Sequence, residues 1–451
     1  MNSQGFKFDE NKPWRGIIGY AVPILLSSIL QQLYNTVDLF VLGAFESQAS
    51  MASVGSCSFL IGLMVTFAVG LSSGLSVIIS SELGKGENDN KACLQNGLII
   101  VAFFGIIMSL FVYFMGPILI VRLIQLPSIL APAAIEYLKI CAIGVLFEFL
   151  YNYFRGVLLG YGDSKVSLYF LAISAALNIV LDIVLVKGFD MGAAGVAWST
   201  VAAQIAALVF SVFYLYKRYP DIFNVLVSKN WKIEAGSMWE VIRVGIPVSF
   251  QGIVVNMGYM IIQNTVNSFG SDMTASYSVA SKLEMYLLIP FISFTNALSV
   301  CVGFLLGNER IGTVKKIMRQ TRIAYILLAV TIGSAAFFTA PAWAGLFGLN
   351  SKASELFISH FRMIAFDILI YSLYSPVNAF FIGSKKTYML LICSLVEMSG
   401  RIITINFLSG AVGEAAVWFS EPVPWSFVCI MMNIIYFCIL MRADGKTRLN
   451  L

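Results

Sequence analysis

The chain has 451 residues, of which 59% are hydrophobic and only 12% charged, with a formal net charge of +5 and a mean hydropathy of +0.84. A water-soluble domain carries about 25% charged residues, so this composition excludes a soluble enzyme and a nucleic-acid-binding domain. It leaves an all-α polytopic membrane protein whose surface faces the lipid bilayer.

Twelve apolar runs are long enough to cross a bilayer at about 20 residues each. They fall near 14–43, 51–81, 93–115, 131–160, 166–187, 193–217, 239–269, 273–306, 316–340, 353–382, 386–408 and 413–441. The first run begins after Arg15 and lacks a small-residue cleavage pattern, so no cleaved signal peptide is expected. The longest polar interval, Lys217–Ser237, follows the sixth run. It divides the chain into an N-lobe of six helices (1–217), a cytoplasmic linker (218–238) and a C-lobe of six (239–451).

Basic residues set the orientation. With the N-terminus in the cytoplasm, 22 of the 29 Lys and Arg lie in inside loops and helix ends. Three (Arg122, Lys187, Lys352) lie outside, and four (Lys139, Lys282, Arg362, Arg401) lie in or near spans. The positive-inside rule then places both termini in the cytoplasm, in a plasma (inner) membrane.

The halves repeat one another. The segment 74–92 aligns with 297–316 at an offset of 223, pairing Leu75-Ser76-Val77 with Leu298-Ser299-Val300 and Gly84 with Gly307. Pro23 and Pro247, each early in the first helix of its half, are 224 apart. First helices that start on the same side make these parallel repeats, related by a pseudo-two-fold along the membrane normal, an arrangement used by some transporters.

A carboxylate at membrane depth is costly and marks a functional site by default. In the first run Gln31, Tyr34, Asn35 and Asp38 make one polar stripe, and in the fifth Ser174, Asn178 and Asp182 make another. Thr200 and Gln204 lie one turn apart in the sixth. Two carboxylates, an amide and a hydroxyl are hard oxygen donors suited to Na⁺. Two neighbouring acids taken out of water equally suit exchange of H⁺. Networks of this kind also serve as plain helix–helix links.

The C-terminal half has its own acids. Glu284 and Asp367 have no partner nearby in sequence and are candidates to face a substrate cavity, with the adaptable side chains of Met257 and Met260. Glu397 and Arg401, four apart, read as a structural pair. Glu421 precedes Pro422 and Pro424, where a helix must kink. The seven cysteines stand singly and the one histidine, His360, reads as a plain helix-end residue, so neither disulfide nor metal cluster is expected. Gly162-Asp163-Ser164-Lys165 and Gly383-Ser384-Lys385-Lys386 lack Walker spacing and read as tight turns. Nothing resembles a catalytic constellation or a nucleotide site, so the chain is no enzyme, needs no cofactor, and any transport is driven by an ion gradient.

The ordered motifs N-T-V-D-L-F-V-L-G (35–43), L-S-S-G (71–74), R-G-V-L-L-G-Y-G-D-S-K (155–165), L-N-I-V-L-D (177–182) and G-A-A-G-V-A-W-S-T (192–200) resemble the multidrug and toxic compound extrusion (MATE) family over the whole chain. The resemblance implies two six-helix lobes, a monomer, and export of organic cations in exchange for Na⁺ or H⁺. Carried over by position, Asp38, Asn178, Asp182 and Thr200 match the family's N-lobe cation site. Some members have an acid in the seventh helix where this chain has Gln251 and Asn256, and Asp367 only roughly matches a tenth-helix acid. The alternatives are a flippase for a lipid-linked precursor, against which the few dispersed basic residues speak, and a membrane receptor that transports nothing.

Overall fold

Backbone N–H and C=O groups find no water in a bilayer, so an apolar run of this length must satisfy them internally, as a helix. The computed structural model describes residues 13–45, 48–86, 90–122 and 126–443. It contains α1 (Pro13–Phe45), α2 (Gln48–Gly84), α3 (Lys91–Arg122), α4 (Ala131–Gly160), α5 (Lys165–Asp182), α6 (Gly192–Arg218) and a short α7 (Pro220–Val227). The second half holds α8 (Ala235–Ser268), α9 (Ser271–Gly307), α10 (Ile311–Leu346), α11 (Ser351–Gly383), α12 (Tyr388–Val412), α13 (Ala416–Phe419) and α14 (Pro422–Ala443). Among the described residues twelve of these have 18 residues or more, one on each of the twelve runs. Eleven spans are long and apolar enough to cross a membrane. The twelfth, α4, has the length at 30 residues but carries Glu136, Lys139, Glu148 and Arg155.

The described residues form two compact units. One holds Val22–Ser249, and the other runs from Phe250 onward and takes in the opening turns of α1. Each unit therefore includes the start of the other half's first helix, and the change comes within two or three residues of Pro23 in α1 and Pro247 in α8. Proline removes one backbone hydrogen bond and crowds the preceding turn.

In the first unit α4 packs on α2, α3 and α6. Small residues let α4 and α2 approach: a Cβ on Gly156 would stand 2.6 Å from Ser72 Oγ, and one on Gly160 would stand 2.8 Å from Ile79 Cβ. The hydroxyls of Ser72 and Ser76 donate across to the carbonyls of Asn152 (2.7 Å) and Gly156 (2.9 Å). In lipid, where apolar burial gives little drive, such close contact is what joins helices. The second unit repeats the device: a Cβ on Gly383 would stand 2.7 Å from the Ser299 carbonyl and from Val302. Gly383, Ser299 and Val302 follow Gly160, Ser76 and Ile79 at the 223-residue offset. There α11 packs on α9 and α10, around Phe291, Phe357, Phe361 and the small residues Ala329, Ala336 and Ala340 of α10.

Two sequence expectations change in detail. The polar interval after α6 is not bare linker: it forms α7, and the chain beyond it is pinned to α3. Gln95 Nε2 donates to the Val225 carbonyl at 2.8 Å, the Lys232 N–H donates to Gln95 Oε1 at 3.1 Å, and Asn96 Nδ2 donates to the Lys232 carbonyl at 2.9 Å. His360 is not at a helix end but inside α11, 2% exposed, with its ring stacked 5.6 Å from that of Tyr277.

The two tight turns are present. Gly162 takes φ +87° after α4, and Lys385 takes φ +59° after α11. Asp163 of the first turn accepts from the hydroxyls of Tyr214 at 2.9 Å and Tyr219 at 3.1 Å, tying the end of α6 to the α4–α5 connection.

Candidate cation site in the first unit and acid cluster in the second

Helical spacing aligns Asn178 and Asp182 on one face of α5, and α1 brings Asp38 to the same place. The Asn178 amide lies between the two carboxylates. With Nδ2 toward them it donates to Asp38 Oδ1 at 2.9 Å and to Asp182 Oδ2 at 3.3 Å, while its oxygen accepts from Ser199 Oγ at 3.3 Å. Turned over, the amide instead donates to Ser199 Oγ at 3.3 Å and points its oxygen at both acids. An oxygen facing two carboxylates is tenable only with a cation or a proton among them. Asp38 and Asp182 are also within hydrogen-bonding reach of one another.

Three more groups complete the surroundings. The Ser199 hydroxyl donates to Asp182 Oδ1. Tyr34 OH donates to Thr200 Oγ1 at 3.4 Å, and Thr200 donates to the Val196 carbonyl at 2.9 Å. Immediately after Asp182 the helix widens into a π-helical stretch, Ile183–Gly188, a rare irregularity that recurs at functional sites. Asp182 and Asn178 are fully buried and Asp38 is 8% exposed. The set is buried and brings two carboxylates together with an amide and two hydroxyls, which fits a small hard cation and fits a shared proton.

The sequence-predicted residues divide as follows. Asp38, Asn178, Asp182, Thr200 and Tyr34 come together. Gln31 is half-buried on the same helix and makes no hydrogen bond among the described residues. The side chain of Asn35 lies outside the described residues. Ser199 and Glu148 escaped the sequence reading. Glu148 accepts from Asn152 Nδ2 at 2.7 Å and, with Thr200, Gln204 and Cys141, lines a small cavity of about 20 Å³. Its signal in the sequence is an acid in the apolar run of α4 with Asn152 four residues and Arg155 seven residues further on.

In the second unit Glu284 of α9, Asp367 of α11 and Glu421 each bring a carboxylate oxygen within 4.8 Å of the other two. Glu421 gets there because the chain after α12 turns back through the 3₁₀ turn Gly413–Ala415 and α13, then breaks before Pro422. Arg401 ties the cluster together. Its Nη1 donates to Glu421 Oε1 at 3.0 Å, its Nε donates to Glu397, and its guanidinium lies 4.5 Å from the centre of the Tyr259 ring. Tyr259 OH donates to Glu284 Oε1 at 3.3 Å. So the Glu397–Arg401 pair exists as the spacing predicts, yet it is part of a larger network. Arg401 pairs with two of the four carboxylates, Glu397 and Glu421, and Asp367 Oδ1, Glu421 Oε2, Glu397 Oε2 and its own Nη2 find no partner among the described residues. That spare charge suits a cationic group. Met257 and Met260 are instead exposed, at 45% and 39%.

Comparison with known proteins agrees with this architecture. The MatE family model matches twice, over residues 23–184 and 247–408. The two matched segments begin at Pro23 and Pro247, so they coincide with the internal repeat. The chain is 30% identical over 321 residues to "Probable multidrug resistance protein YoeA" of Bacillus subtilis, covering 69% of this chain and 68% of that one. It is 20% identical over 373 residues to "Multidrug export protein MepA" of Staphylococcus aureus, covering 79% and 78%. In fold it is similar to the crystal structure of MATE in the bent conformation, with TM-score 0.88, 18% identity and coverage of 97% and 98%. It is also similar to an outward-facing multidrug resistance MATE family transporter, with TM-score 0.87, 19% identity and coverage of 96% and 96%. The chain belongs to the MatE family.

Proposed function

We propose that this protein is a secondary active multidrug exporter that moves organic cations outward in exchange for Na⁺ or H⁺, by alternating access. The observation that carries the reading is the placement of Asp38 and Asp182 on one buried amide, Asn178. Isolated buried charges are too costly to keep without a partner, so the site has reason to exchange a cation rather than stand bare.

In this account Asp38, Asn178, Asp182, Ser199 and Thr200 receive the ion from outside. When a cation or proton sits between the acids, the Asn178 amide can present its oxygen; when the ion leaves, it turns its N–H groups to the carboxylates and its oxygen to the Ser199 hydroxyl. Tyr34, hydrogen-bonded to Thr200, passes this change along α1. The acids Glu284 and Asp367 of the second unit, with Glu421, take the positive group of the substrate. The N-lobe (1–217) and C-lobe (239–451), joined through 218–238, are the bodies that move. The protein works as a monomer in the plasma membrane with both termini in the cytoplasm.

Exchange requires negative coupling: the ion must weaken substrate binding and, by reciprocity, the substrate must weaken ion binding. Equilibrium binding of a fluorescent organic cation to the purified protein, titrated with Na⁺ and separately with acid, tests this. One of the two should lower dye affinity by about 5- to 150-fold, the usual range of such coupling, and Asp38→Asn should remove the effect. Dye affinity indifferent to both Na⁺ and pH would overturn the reading.

A further inference from the structure

Lys139, one of the few basic residues within a span, has no role in either site. It lies eight residues into α4, about 12 Å of helix rise from the start. A helix of 30 residues is about 45 Å long and the hydrocarbon layer about 30 Å thick, so the lysine backbone sits roughly 5 Å inside the apolar layer. From there its stem reaches the headgroups. Tyr113, nine residues before the end of α3, and Trp198, six residues into α6, stand at a similar depth at the same end of the unit. Aromatic side chains at this level mark the membrane interface.

These residues border one groove of about 500 Å³, lined by Tyr113, Glu136, Lys139, Ile143 and Trp198 among others. Its apolar walls are exposed as a lipid-facing flank is: Ile143 45%, Tyr113 42%, Trp198 41%. The groove holds one acid and one base, one helical turn apart, and both side chains are exposed. Among the described residues they form no ion pair with each other or with another group. Lys139 is held only by the face of the Tyr113 ring, 5.7 Å from its centre.

We infer that the α3–α4–α6 groove binds a zwitterionic phospholipid whose headgroup carries a primary ammonium, that is, a phosphatidylethanolamine. Lys139 takes the phosphate and Glu136 the ammonium, while Ile143 and Trp198 cover the upper acyl chain. Side chains three residues apart on a helix have Cβ atoms about 5–6 Å apart, a spacing that suits the phosphate and ammonium of one headgroup. An anionic phosphatidylglycerol would offer Glu136 only neutral hydroxyls, a weaker hydrogen bond than that of a charged ammonium. The quaternary ammonium of phosphatidylcholine cannot donate a hydrogen bond to it.

Native mass spectrometry of the purified full-length protein, titrated with phosphatidylethanolamine, phosphatidylcholine and phosphatidylglycerol of identical acyl chains, tests the site. The wild type should retain phosphatidylethanolamine about tenfold more tightly than the other two, the size of one charge-assisted hydrogen bond. Glu136→Gln should erase that preference, Lys139→Gln should weaken retention of all three lipids about tenfold, and Lys139→Arg should restore it. Equal retention of the three lipids by the wild type would overturn the inference, because that is what a simple Glu136–Lys139 surface pair gives. So would a phosphatidylethanolamine preference that survives both Glu136→Gln and Lys139→Gln.

Discussion

Asn178 Nδ2 lies 2.9 Å from Asp38 Oδ1, joining a residue of the fifth long helix to one of the first. The same amide reaches Asp182, so two carboxylates 144 residues apart in the chain depend on one side chain. Asn178→Leu removes both the bridge and the amide oxygen while leaving the acids in place. It is expected to lower ion-coupled efflux at least tenfold with normal protein yield, measured as gradient-driven dye export from reconstituted vesicles. Near-normal coupled export by Asn178→Leu would show that the amide is only packing.

Close helix contact gives a second expectation. A methyl group on Gly156 meets Ser72 Oγ at 2.6 Å and the Ser72 carbonyl at 2.8 Å, and the latter cannot rotate away. Gly156→Ala should therefore push α2 from α4 and destabilise the first unit by about 1–3 kcal/mol, the usual cost of overpacking. Thermal unfolding in detergent reads this. Gly156→Ala melting with the wild type would mean that the two helices have slack.

Arg401 holds Glu397 and Glu421 with its own side chain fully buried. Arg401→Met leaves those acids uncompensated, and removing one partner of a buried charge pair costs about 3–5 kcal/mol. The single variant should express poorly. The triple variant Glu397→Gln, Arg401→Met, Glu421→Gln removes the stranded charges and should recover much of the yield. A triple variant no better than the single one would locate the damage in lost packing instead.

At the end of α6, burial first and the Asp163 carboxylate second push the Tyr219 hydroxyl well above its usual range. The folded state therefore favours the protonated phenol. This contribution is complete below the unfolded value of about 10 and is lost as pH rises beyond it. Melting temperature should fall above about pH 10 in the wild type, and more shallowly in Tyr219→Phe. Equal slopes in the two proteins would discount the residue.

The twelve spans were legible because lipid imposes both length and helicity; the twelfth is the exception in its bounds, its long helix starting at Pro422 rather than 413 because 413–421 forms a 3₁₀ turn and a short helix before the break. The partnership of Asn178 with Asp182 was legible because it is local, four residues on one helix. Ser199 was not: it adjoins Thr200, and neighbouring helical residues point about 100° apart, so sequence alone does not say which one faces the site. Here both do, through Asp182 and Tyr34 respectively. Glu421 was half legible. Its prolines announce a break, but that the chain beyond α12 turns back far enough to reach Arg401 depends on the path of 413–421, which no periodicity records. Glu148 was legible too and was overlooked: Asn152 and Arg155 follow it four and seven residues on, the spacing that marked the stripes of α1 and α5.

The most direct test is export of a fluorescent organic cation from reconstituted vesicles under an imposed Na⁺ or H⁺ gradient, for the wild type, Asp38→Asn and Asp182→Asn. The account predicts that one gradient drives export by the wild type and that both substitutions abolish it while the proteins still insert and bind dye. Gradient-driven export that survives both substitutions would contradict it.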